Sequence, residues 1–196
     1  MIKMTTPWGP ADDVSYLNPE RTLIRVHTAS HGGIGVRVDV PMPAHLDPGA
    51  CGDMWRWFEE DQEWCIPALA FPVYFKPEMV QIATDLLRNW YPDAYEIHFG
   101  RKVTAEHSAA RRRDELNQRL RANYRVRASW GDWAWDVPAG NVLALGVRDT
   151  DGDEATFLVP QGEYVNLDEL VLDKYPRFTP DRTLPYSKPR EKSTVN

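Results

Sequence analysis

The residues best suited to chemistry stand in two short runs. One is His27 with Thr28-Ala29-Ser30-His31-Gly32-Gly33, and the other is Glu59-Glu60-Asp61-Gln62-Glu63. His27 and His31 are four positions apart, the spacing that puts two zinc-binding imidazoles on one face of a helix. The residues around them read instead as strand and turn, over which four residues span about 13 Å. One ion reaches both histidines only if the chain bends sharply. Glu59, Glu60 or Asp61 would be the third ligand. Paired carboxylates also do acid–base work when one is desolvated, here against Trp57 or Trp64. The plainer reading of the run is a solvated helix face, or a set of salt bridges to a basic segment further on.

That basic segment runs from Arg101 to Arg127. It carries nine Lys or Arg against three acids, a net of +6, which leaves −12 on the rest of a chain whose total is −6. Arg111, Arg112, Arg113 and Arg119 could track phosphates or meet an acidic protein surface. Few aromatics interleave with them, so single-strand stacking has little support. Trp130 and Trp133 crowd a turn-strand junction, where they serve as core packing or as interface anchors. Asp149-Thr150-Asp151-Gly152-Asp153 resembles the start of a calcium loop. Its twelfth position is Pro160 instead of Glu, so it reads as a hairpin turn. No glycine-rich phosphate loop or nucleophile elbow is present, and Ser30 beside His31 makes no dyad.

The elements that must position these residues follow from periodicity. Thr22–His27 is rich in β-branched residues and Ile34–Val40 alternates apolar and polar. Together they predict a β-hairpin, with Gly32 and Gly33 supplying positive φ in its turn. Asp53–Trp64 has helical spacing with Asp53 as N-cap, and Cys65–Phe71 reads as a short buried strand that Pro67 confines to an edge. Pro77 opens a helix to about Tyr91, Pro92 ends or kinks it, and Gly100 closes the segment. Thr104 opens a second long helix to about Tyr124. Then the period becomes two: Arg125–Trp135, Asn141–Arg148 and Glu154–Val159 predict three strands. A turn or short helix and then a strand fill Gly162–Tyr175. The chain from Pro176 on reads as an extended or disordered tail.

The expected class is therefore α+β. A hairpin-plus-helices part runs to residue 125, a small antiparallel sheet (a half-barrel in its curled form) covers 126–175, and the tail is 176–196. At 196 residues such a chain buries a core without disulfides or metal. Its two cysteines, Cys51 and Cys65, form neither a disulfide scaffold nor a zinc site. No signal-peptide stretch and no 18-residue apolar run is present, so a cytoplasmic protein without membrane contact is expected. No cofactor is expected.

Four blocks in order carry a resemblance: Thr6-Pro7-Trp8-Gly9, Thr28 to Ile34, Phe58 to Trp64, and Trp90-Tyr91-Pro92-Asp93-Ala94-Tyr95-Glu96. They span about half the chain and resemble an uncharacterised bacterial family, a domain of unknown function met on plasmids, integrative elements and phages. Gln62 stands where that family's block has Cys. The resemblance implies a mobile-element setting and no mechanism. With no catalytic motif in view, the leading expectation is a non-enzymatic protein that docks on a host complex, such as a defence system, and inhibits it. Arg111, Arg112, Arg113 and Arg119 would supply charge, and Trp130 and Trp133 the anchors. The alternatives are a metal-dependent hydrolase built on His27, His31, Glu59 and Asp61, and a nucleic-acid binder using the basic helix.

Overall fold

The computed structural model describes residues 4–49 and 54–184. Cys51, Asp53 and the last part of the expected tail lie outside the described residues. The chain divides into two compact units, Met1–Arg113 and Asp114–Asn196. Both helices and antiparallel sheets are present, as the α+β reading requires, and no barrel closes among the described residues.

The first unit is built on a four-stranded antiparallel sheet, β3 (Asp13–Tyr16), β4 (Leu23–His27), β5 (Gly32–Arg37) and β6 (Trp55–Glu59), in that order. A small ladder, β1 (Thr5–Thr6) with β2 (Gly9–Pro10), precedes it. The predicted hairpin is β4–β5. Both faces of the sheet are covered. Leu23, Ile34, Val36 and Phe58 pack on one face, with Trp64, Ile66 and Phe75 against them. Ile24, Val26 and Ala11 pack on the other, under Trp8, Trp55 and Trp57. Helices α1 (Cys65–Ala70), α2 (Pro77–Trp90) and α3 (Pro92–Phe99) share a further core of Leu69, Ala83, Leu87 and Tyr95. Gly100 caps α3 in the left-handed conformation, φ 65°.

Two adjacent assignments are reversed. Residues 55–59 form a strand, not a helix, and 65–70 form a helix, not a strand. Met54, Trp57, Phe58 and Trp64 mimic a helical stripe because the sheet is apolar on both faces, which erases the clean alternation of a half-exposed strand. The strand period survives in burial. Arg56 and Phe58 are buried while Trp55, Trp57 and Glu59 are half-exposed. Pro67 is tolerated because it falls in the first turn of α1, where its missing N–H has no intrahelical partner anyway.

Burying Arg56 requires acceptors, and the chain after β5 supplies them. The guanidinium donates to the carbonyls of Val38 (2.9 Å) and Val40 (3.0 Å). Asp47 Oδ1 lies 3.2 Å from its Nε. Arg56 thus pins the loop that leaves the sheet.

In the second unit, β7 (Tyr124–Trp130), β8 (Asn141–Arg148) and β9 (Glu154–Pro160) form a three-stranded antiparallel sheet in sequence order. Trp135, expected in the first of these strands, sits beyond it with φ 47°. Asp151 accepts from Arg148 and from the N–H of Asp153, closing the predicted hairpin turn. Between Gly162 and Tyr175 only single turns and an isolated bridge, Arg125 with Val171, occur. The expected tail starts as structure: Leu158 N–H donates to Pro176 O and Phe178 N–H to Thr156 O. Arg177 lies over the Tyr124 ring, which Arg148 also approaches. The basic helix is shorter than expected. A turn at Ala105–His107 precedes α4 (Ala109–Leu120), because Ser108 is buried in extended conformation and caps α4 at the N–H of Arg111.

Two predictions follow from these contacts. Arg56→Met should destabilise the protein by about 3 kcal/mol, because it leaves the Asp47 carboxylate without its ion-pair partner and two carbonyls without their donor. Urea unfolding measures this, and a loss within error of zero would deny Arg56 that role. The second concerns His45 and His98, whose Nε2 and Nδ1 are 2.9 Å apart, one donating to the other. Burial, and then the charge of His45, holds the His98 imidazole below its ordinary value of 6.5. The unfolded chain therefore takes up a proton that the folded chain resists. This contribution is complete above the unfolded value and drains away as pH falls through the depressed folded one. The urea midpoint should drop between pH 7 and pH 5, and His98→Gln should flatten that part of the curve.

Candidate functional site

The turn between β4 and β5 is closed by Thr28. Its N–H and its hydroxyl donate to His31 O, at 2.7 and 2.8 Å, and its Oγ1 accepts from the N–H of His31. This locks residues 28–31 and holds His31 at the end of the sheet. Gly32 and Gly33 lie inside β5 and neither has positive φ, so their role differs from the one expected. A Cβ on Gly33 would collide with the carbonyl of Phe58 and the ring of Trp8. A Cβ on Gly32 would collide with the Glu60 carboxylate and lie 3.1 Å from His27 Nδ1. The glycines are there for close approach.

Across the sheet, Gly33 pairs with Glu59, and Glu60 N–H donates to Gly32 O at 3.1 Å. The turn that follows β6 is tied to its own carboxylates. Glu59 N–H donates to Glu63 Oε2 at 3.1 Å, and Asp61 N–H donates to Glu59 Oε2 at 2.9 Å. The result is a cluster of three. One ligand atom each from His31, Glu59 and Glu60 lies within 4.8 Å of the others, and His31 Nδ1 is 3.9 Å from Glu59 Oε1. Glu59 is half-buried and the other two are exposed. A nitrogen and two carboxylates suit a divalent cation such as Zn2+ or Mn2+.

A pocket of about 290 Å³ adjoins the cluster, lined by Arg25, His27, Ile34, Glu60, Trp64 and Met79. Arg25 and His27 are two apart on β4 and so share a sheet face. Tyr91 packs against the core of the three helices, and burial, then the charges of Glu63, Cys65 and Glu59, push its hydroxyl up to about 12. Burial also pushes the Cys65 thiol to about 12, so it stays protonated and unreactive.

Of the residues singled out for metal binding, the structure brings His31 and Glu59 together. Glu60 completes the trio, His27 lines the pocket beside it, and Asp61 contributes its N–H to Glu59. Arg111 bonds to Asp93 and Glu96, the latter at 3.2 Å. Hydrogen bonds from Lys102, the N–H of Val103 and Arg111 pull Glu96 down to about 2. Arg112 donates to the carbonyls of Ala105 and Glu106. Arg113 and Arg119 are exposed. Trp130 packs against Trp135 over Ala134, Val137 and Leu143, whereas Trp133 is 41% exposed. Sequence reasoning missed Arg25. The signal was available, since an arginine two residues before His27 on a strand faces the same way.

A family model described as "Domain of unknown function (DUF7007)" matches residues 1–121, which include the whole first unit and the cluster. No curated protein and no solved structure matches the chain.

The close packing on β5 is testable. Gly33→Ala should cost about 2 kcal/mol, because the Phe58 carbonyl cannot move without breaking the ladder. An unchanged urea midpoint would show that the strand has slack.

Proposed function

The chain belongs to this family of unknown function, and from its own residues we propose that it is a divalent-cation-dependent hydrolase with its centre at His31, Glu59 and Glu60. The observation that carries the reading is the convergence of one nitrogen and two carboxylate oxygens within 4.8 Å, with Glu60 also lining a pocket. Three protein ligands leave coordination positions open for water and substrate. A cation held there would lower the pKa of its water and supply hydroxide near neutral pH. His27, on the pocket wall beside Glu60, is placed to take the proton. Glu63 and the N–H of Asp61 do the positioning, holding the backbone and carboxylate of Glu59.

Three of the four sequence blocks that carry the resemblance supply residues to this neighbourhood: Trp8 beneath Gly33, His31 on the turn, and Glu59 and Glu60 on the facing strand. That favours the cation reading over docking on a host complex, two of whose expected arginines are bonded within the protein. The docking reading, with its mobile-element and anti-defence setting, keeps Arg119 and Trp133 of the second unit, both exposed.

Calorimetric titration of the full chain with Mn2+ and Zn2+ tests the proposal. One ion per chain is expected, weakened at least about tenfold by His31→Ala or by Glu59→Gln. Affinity should also fall in acid, as protons compete for the ligands. Equal binding by the wild type and by both of these variants would end this reading.

A further inference from the structure

Among the described residues, the buried and half-buried arginines follow a rule with one exception. Arg37, Arg56, Arg88, Arg111, Arg125 and Arg148 each have an acid within 4 Å. Arg25 is half-buried too, yet its guanidinium has no ion pair or side-chain hydrogen bond among the described residues. Its N–H donors keep access to solvent and are not taken up by a protein acceptor, so they stand available to a ligand in the pocket that Arg25 lines. The surroundings explain how Arg25 is held there. It projects from β4 opposite Ile34, on the face where Leu23, Ile34 and Phe58 form the core. It lines the 290 Å³ pocket together with Trp64 and Met79.

We infer that Arg25 is the anion anchor of this pocket, and that the ligand is a small organic phosphate monoester. The guanidinium fork matches two phosphoryl oxygens, and Trp64, Ile34 and Met79 form an apolar wall for the organic part. The volume admits a small molecule and suits neither a folded partner nor a duplex. The hydrolytic use of the site rests on the cation proposal above. Water adds to phosphorus, the bond from phosphorus to the ester oxygen breaks, and the leaving alcohol takes up the proton that the water gave. Inorganic phosphate and the alcohol are the products. Arg25 and the cation would then clamp the same phosphoryl group from two sides.

Calorimetry with phenyl phosphate, inorganic phosphate and benzoate, on the full chain with and without Mn2+, tests this. Phenyl phosphate should bind most tightly. Arg25→Gln should weaken it by about 10- to 100-fold while leaving Mn2+ affinity unchanged, and Arg25→Lys should retain part of it. Circular dichroism confirms that each variant is folded. Mn2+ binding without phenyl phosphate binding, or phenyl phosphate binding indifferent to Arg25→Gln, overturns the inference and leaves the cation proposal standing. Benzoate binding as tightly as phenyl phosphate overturns the phosphate assignment. Phenyl phosphate binding that depends on Arg25 in a protein with no Mn2+ affinity supports the anchor and removes the cation proposal.

Discussion

The first unit depends on a strand that carries two successive glycines on one face. Gly33 and Gly35 are two apart on β5, so both present bare backbone to the same side. Trp8 and Trp57 close over Gly33 and Gly35, and Trp55 approaches Gly35 as well. The indoles then contact one another, Trp8 with Trp57 at 5.9 Å and Trp55 with Trp57 at 6.0 Å between centroids. This fixes the register of β6 on β5. A slip by one residue would turn Arg56 and Phe58 out of the core and carry Glu59 to the opposite face. The approach of Glu59 to His31 is therefore a result of how tryptophan packs on glycine, two positions from the nearest chemistry.

Helix α2 and the three strands of the second unit are legible in the sequence because each is half-exposed, and half-exposure writes a period into the chain, whereas the hairpin, buried on both faces, is legible from its β-branched residues and its glycines. Residues 55–70 were not legible for the complementary reason. Where both faces of β6 are apolar, alternation disappears and chance spacing among Met54, Trp57, Phe58 and Trp64 imitates a helix. Pro67 compounded the error, since proline argues against helix everywhere except in the first turn, where it sits. In the chain from Pro176, composition outweighed pairing: Pro176 and Phe178 complete backbone bonds to β9 that no periodicity announces.

At the candidate site, residue types were visible and partners were not. His31 and Glu59 were both singled out, yet a sequence cannot say that a turn closed by Thr28 faces the end of β6. His27 was grouped with His31 by spacing. The structure instead groups it with Arg25 by strand face, beside a pocket, and leaves His31 with Glu59 and Glu60 as a separate cluster of candidate ligands. Arg111 and Arg112 show the converse. A run of basic residues looked like an outward charge until Asp93, Glu96 and the carbonyls of Ala105 and Glu106 were found to accept its hydrogen bonds.

The pairing of Pro176 and Phe178 with β9 also bears on how a protease meets this chain. A protease binds its substrate as an extended strand and needs the backbone groups of that stretch for itself. Around Arg177 the backbone is already committed to β9, and its side chain lies over Tyr124 and Phe157. Arg182, exposed and two residues before Leu184, lies in a turn whose backbone bonds run to the Asp136 carboxylate and within the turn itself, not to a strand. A trypsin-like enzyme would therefore trim at Arg182 and spare Arg177. The cut would leave the three-stranded sheet with its fourth, borrowed edge intact.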